Sequence, residues 1–114
     1  MMTINICRDF TETPGARYKS EGEFSGEEFR DDLLKHKYLE ARARNEKLII
    51  ELDGGYGYAT SFLEEAFGGL ARMYPQNEVL DTLSFVSNDE PSLIKEINEY
   101  IIHANDKKKK KRKH

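Results

Sequence analysis

The run Leu48-Ile49-Ile50-Glu51-Leu52 passes directly into Asp53-Gly54-Gly55-Tyr56-Gly57-Tyr58 and then into a helical pattern from Ser61. This strand, glycine turn and helix constrain the fold more than any other segment. A nearly continuous apolar run suits a central strand buried on both faces, the arrangement typical of α/β packing. A strand that feeds a helix through a tight turn implies a crossover to a parallel neighbour. The pattern predicts a strand over 47–53 and a helix over 61–73. Leu63, Phe67, Leu70 and Tyr74 form one apolar stripe on that helix, with Phe62 and Ala66 beside it. Ser61 and Glu64 match the capping-box spacing. Gly68 and Gly69 fall inside the helix, where each costs up to about 1 kcal/mol relative to Ala. Their pairing predicts that another backbone comes very close. Pro75 ends the helix.

The remaining segments complete the pattern. Residues 3–7 (TINIC) alternate, with Ile4 inward in a short strand and Cys7 a small buried apolar group. Thr13-Pro14-Gly15 signals a turn, and Arg17–Ser20 reads as either a second short strand or coil. Ser25 and Glu28 make a capping box, and Phe24 with Phe29 fits a hydrophobic staple. A helix therefore runs from about 26 to 43 and ends near Asn45. Residues 79–86 read as a third long strand through Leu80, Leu83, Phe85 and Val86. Asn88-Asp89-Glu90-Pro91 opens a last helix. Its stripe is Leu93, Ile94, Ile97, Tyr100 and Ile101, reaching about Asn105. Strands separated by helices give an α/β domain with a largely parallel sheet.

Charge divides the 114 residues unevenly. Residues 107–114 (KKKKKRKH) hold seven of the eighteen Lys and Arg, so residues 1–106 carry eleven basic against twenty-one acidic groups, a net of −10. We expect one acidic domain over 1–106 and a disordered basic tail over 107–114. An acidic body argues against general nucleic-acid binding through its own surface. The tail can bind nucleic acid, an anionic membrane surface or an acidic partner, or simply solvate the chain and offset the acidic body. There is no apolar run near eighteen residues, hence no transmembrane helix, and the first residues lack a signal-peptide pattern. One cysteine excludes an internal disulfide and a cysteine-based zinc cage. The cytoplasm is the expected compartment.

Few side chains carry chemistry. The turn at Gly54, Gly55 and Gly57 sits where open α/β sheets bind ligands, ahead of a helix N-terminus that favours an anion. It matches neither G-x-G-x-x-G nor G-x-x-x-x-G-K-[ST], and no Lys follows. Glycines of a tight turn are the plainer reading. Ser61 and Thr60 present hydroxyls at a helix start, where a phosphate would add about −1.5 to −2 charge at the favourable end of the dipole; N-capping is the plainer role of Ser61. Glu64 and Glu65 are adjacent on a helix, point about 100° apart, and do not converge on one substrate atom. His36, His103 and His114 lack ligand spacing. No nucleophile–base pair, metal set or cofactor motif emerges, so no enzyme activity and no cofactor are expected.

Several blocks together resemble the bacterial STAS-like domain family over about residues 3–103. They are Pro14-Gly15-Ala16-Arg17-Tyr18, Phe24-Ser25-Gly26-Glu27-Glu28-Phe29-Arg30, Asp53-Gly54-Gly55-Tyr56-Gly57-Tyr58 and, above all, Ser61-Phe62-Leu63-Glu64-Glu65-Ala66-Phe67-Gly68-Gly69-Leu70. The resemblance implies a fold related to the STAS domains of anti-sigma-factor antagonists, with a mixed or largely parallel sheet and about three helices mainly on one side. In those antagonists a serine opening the helix after a central strand is phosphorylated by a GHKL-type ATPase kinase, which releases the partner. Ser61 or Thr60 takes that place here. The antagonists' Asp-Ser-Ser/Thr-Gly signature is replaced by Tyr58-Ala59-Thr60-Ser61-Phe62. The resemblance implies a regulatory protein-interaction module whose partner, of GHKL type, meets Asp53, Gly54, Gly55, Tyr56, Gly57, Tyr58, Glu64 and Glu65. A nucleotide or small-anion sensor at the same turn and a nucleic-acid accessory acting through the tail are the alternatives.

Overall fold

The computed structural model describes residues 2–106. The basic segment 107–114, and with it the tail and nucleic-acid readings, lies outside the described residues. Among residues 2–106 the sheet has three parallel strands in the order β1 (Met2–Asn5), β2 (Leu48–Glu51), β3 (Leu83–Val86). Helix α1 spans 26–44 and α2 spans 60–73, each with one π-helical turn inside it, at Arg30–Leu34 and Glu64–Gly68. Then come α3 (Gln76–Thr82) and α4 (Ser92–Ile102).

The register explains the layering. Met2, Leu48 and Leu83 form one row across the sheet, and Ile4, Ile50 and Phe85 the next. These rows face the core, against Phe29, Leu34 and Tyr38 of α1, Phe67 and Leu70 of α2, and Ile97 of α4. Phe67 meets Phe85 edge-on with ring centroids 5.4 Å apart. The alternate rows, Thr3-Ile49-Ser84 and Asn5-Glu51-Val86, are half-buried or exposed. The helices therefore cover one face, as sequential right-handed crossovers in one direction require. The expectation that strand 47–53 is buried on both faces is corrected: the strand is Leu48–Glu51, buried on one.

Other boundaries move for local reasons. β1 stops at Asn5, whose side chain accepts the Arg8 N–H and caps a helical turn at Ile6–Asp9; Cys7 lies on that turn, not in a strand. Residues 17–20 make no strand; Lys19–Glu21 form a single 3-10 turn in which Glu21 accepts the N–H groups of Arg17 and Tyr18. The span 79–86 is two elements. Val79 and Thr82 close helix α3, which enters from Pro75, and only Leu83–Val86 is strand.

The start of α1 follows the sequence. Ser25 Oγ accepts the Glu28 N–H at 3.0 Å. Glu28 returns a carboxylate to the Phe24 N–H, one residue earlier than a capping box has it. Phe10 packs between Phe24 and Phe29, with centroids at 5.5 and 5.2 Å, so a third ring completes the staple. The close backbone approach lies here and not at Gly68-Gly69. A Cβ on Gly26 would come within 2.5 Å of the Phe62 carbonyl oxygen. What crowds Gly68 and Gly69 is the side chains of Glu64 and Arg30.

Candidate functional site

The loop 53–59 leaves the C-terminal end of β2 and is fixed along its length. Asp53 accepts the Asn88 and Asp89 N–H groups, both at 2.8 Å, and the Asn88 side-chain amide at 3.0 Å. Those donors, the Asp89 N–H foremost, hold the Asp53 carboxyl below the usual carboxylate range. Gly54 and Gly57 have φ of 103° and 117°, in the region side chains avoid. The Tyr56 N–H donates to the Glu12 carbonyl at 3.1 Å and the Ala59 N–H to the Pro14 carbonyl at 3.1 Å. Tyr58 turns inward; its hydroxyl donates to the Leu52 carbonyl at 2.8 Å, and burial, with the charges of Cys7 and Asp53, raises its pKa. Tyr56 is the opposite case, 84% exposed at the loop tip.

The two hydroxyls next to the loop differ. Helix α2 begins at Thr60, with Ala59 as N-cap and no side-chain cap, so Ser61 lies inside the first turn and forms no capping box with Glu64. Thr60 is exposed and Ser61 half-buried.

Glu64 and Glu65 lie in the π-helical turn of α2, and both reach Arg17. Arg17 Nη1 is 2.6 Å from Glu64 Oε1 and 3.3 Å from Glu65 Oε1. Arg30 Nη1 meets Glu65 Oε2 at 2.6 Å and donates to the Glu65 carbonyl at 3.2 Å. Arg72 meets Glu64 Oε2 at 2.8 Å. Adjacent helical carboxylates thus converge after all, on an arginine of the chain itself. Tyr100 borders this cluster; burial, then its hydrogen bond to Glu96 at 2.7 Å, pushes its pKa up to about 12. The sequence blocks that contain Arg17 and Arg30 give no sign of this pairing, because the two lie 47 and 35 residues from their partners. The acid–base pattern of the block offered no local signal for them.

The structure therefore brings Asp53, Gly54, Gly55, Tyr56, Gly57 and Tyr58 together with Asp89 and Glu90 around one shallow recess, and places Glu64 and Glu65 elsewhere, between α1, α2 and the segment at Arg17. Cys7 is half-exposed and borders Gly54. His36 is exposed on α1, and His103 pairs with Asp106 at 3.1 Å. Among the described residues no three His, Cys, Asp or Glu are placed to hold a metal ion, and no helix is long and apolar enough to cross a membrane.

No curated protein and no solved structure matches the chain. The family model described as a STAS-like domain of unknown function (DUF4325) matches residues 25–93, from the Ser25 cap through α2 and β3 to Leu93. That is more than half of the chain, and it includes the loop, the glutamate pair and the two longest helices' π-helical turns, so this protein belongs to the family of STAS-like domains.

Proposed function

We propose that the chain is a non-enzymatic, cytoplasmic regulatory module that binds a protein partner through loop 54–60 and the first turns of α2. The observation that carries this is Tyr56: a large aromatic side chain, 84% exposed, on a backbone held by neighbouring carbonyls and carboxylates. Ordering a loop before binding removes an entropy cost that association otherwise meets. Exposed tyrosines on such surfaces are frequent anchors of interfaces. A GHKL-type ATPase is the partner that the STAS resemblance suggests.

Of the two hydroxyls, Thr60 is the better phosphoacceptor because it is exposed, whereas Ser61 is half-buried. A phosphate on Thr60 would sit on the first turn of α2, where the helix dipole favours it, and would alter the surface beside Tyr56. Glu64 and Glu65 support the surface from behind by fixing α2 against Arg17 and Arg30.

The test is affinity capture from native extract with the native chain, Tyr56→Ala, Thr60→Glu and Thr60→Ala as baits. A partner retained by the native chain and lost by Tyr56→Ala supports the module. If Thr60→Glu and Thr60→Ala both capture it as well as the native chain, the phosphate switch fails and the docking loop stands. A nucleotide or anion sensor is less well supported, since the Tyr56 and Ala59 N–H groups already donate to carbonyls of the chain and the carboxylates of Asp53, Asp89 and Glu90 line the recess.

A further inference from the structure

We propose that the recess beside Tyr56 receives the cationic side chain of a basic segment of the partner, an arginine or lysine seated between the tyrosine ring and the carboxylates of Asp89 and Glu90. This deepens the docking reading and rests on it.

Four observations carry the inference. First, Asp53, Asp89 and Glu90 line the recess, and among the described residues no Lys or Arg does. Glu12, whose carbonyl receives the Tyr56 N–H, is exposed. Second, these carboxylates are not equally occupied. Asp53 is taken up by the N–H groups of residues 88 and 89, and Asp89 Oδ2 receives the Gly54 N–H only at 3.4 Å. Glu90 stands exposed. This contrasts with Glu64 and Glu65, which three arginines of the chain already neutralise. Third, Tyr56 adds a π face at the rim, and a guanidinium or ammonium is drawn to such a face when carboxylates lie alongside. Fourth, other occupants fit less well. An anion would be repelled by the carboxylates of Asp53, Asp89 and Glu90 in the lining. A metal ion finds no ligand set among the described residues. The recess, about 190 Å³, is smaller than the roughly 300–1,000 Å³ of small-molecule pockets, which disfavours a nucleotide.

The partner element is therefore a basic segment, chosen by charge complementarity with the acidic loop rim. The experiment titrates the full chain with a fluorescein-labelled eight-residue peptide of alternating arginine and glycine, following anisotropy and amide spectra. The expected result is amide shifts at Gly54–Tyr58 and Asn88–Glu90. Tyr56→Ala should weaken binding roughly tenfold, as loss of an anchor does. The pair Asp89→Asn with Glu90→Gln should weaken it roughly fivefold, and raising salt from about 50 to about 300 mM should weaken native binding in parallel. These side chains lie at the surface and the amides keep their oxygens, so the variants retain the fold.

Shifts confined to other surfaces, equal binding of a glutamate–glycine peptide, or loop shifts with inorganic phosphate or ATP and none with the arginine peptide would each overturn the inference. If a captured partner is lost with Tyr56→Ala yet ignores the charge-neutral pair and salt, the docking reading stands and the cation falls. If Tyr56→Ala changes neither, both fall.

Discussion

Two groups of carboxylates, one behind helix α2 and one around the loop before it, are treated in opposite ways. Glu64 and Glu65 are about nine-tenths buried and face Arg17, Arg30 and Arg72 at 2.6–3.3 Å. Asp53 lies at the surface and is matched by backbone N–H groups, while Asp89 and Glu90 remain turned to solvent. The first group is committed to holding three segments together. The second keeps its field directed outward. Carboxylate count alone therefore says little about a binding surface; the counter-charge already supplied by the chain decides.

The sharpest way to break this contrast is to remove Arg30, which leaves a nearly buried carboxylate short of its main partner. Arg30→Ala should cost about 3 kcal/mol in urea unfolding, the scale of breaking a buried pair. A loss below about 1 kcal/mol, the scale of exposed pairs, would mean that the cluster is surface-like. Next is Gly26→Ala. Its new methyl group would press on the Phe62 carbonyl, so about 1–3 kcal/mol should be lost by overpacking. No loss would show that α1 and α2 slide apart freely.

On the loop side the effects are smaller and depend on pH. Asp53 ionises more readily in the folded chain than in the unfolded one. Its stabilisation is thus complete above its unfolded pKa, about 3.9, and disappears as pH falls through the lower folded value. Asp53→Asn should flatten the stability profile below pH about 4. A variant profile as steep there as the native one would refute the assignment. The smallest effect is expected at Tyr38, whose buried hydroxyl has no hydrogen-bond partner among the described residues. Tyr38→Phe should leave the melting temperature unchanged or raise it, because it removes a desolvated polar group and keeps the ring. A clear fall would reveal a hydrogen bond made in solution.

Legibility followed the range of the interactions. The start of α1 was readable because Ser25 and Glu28 act within one turn. Strand β2 was readable from its apolar run, although its outer face was not, since exposure of Ile49 and Glu51 depends on what the helices leave uncovered. Ser61 and Glu64 carry the same spacing as Ser25 and Glu28, yet no cap forms. The Pro14 carbonyl fixes Ala59, and Arg17 from a distant segment, with Arg72 two turns further along α2, takes the Glu64 carboxylate. Residues 79–86 merged two elements because Val79, Leu80 and Leu83 suit either period. The signal that separates them was Pro75 followed by Glu78 in a first turn. At the candidate site the loop residues were found by composition, but Asp89 and Glu90, 36 and 37 positions from Asp53, needed the fold.

The strand pairing also fixes how the chain must fold. Met2 pairs with Leu48 and Leu48 with Leu83, separations of 46 and 35 residues, and each pairing is parallel. None of these ladders has a hairpin to nucleate it. Every inter-strand bond waits for a long loop to close, which places the domain among slower folders for its length. Helices α1 and α2, which meet at Gly26 and Phe62, are expected to dock before the sheet closes, and later protection of their amides than of the strands in pulse-labelled refolding would contradict this.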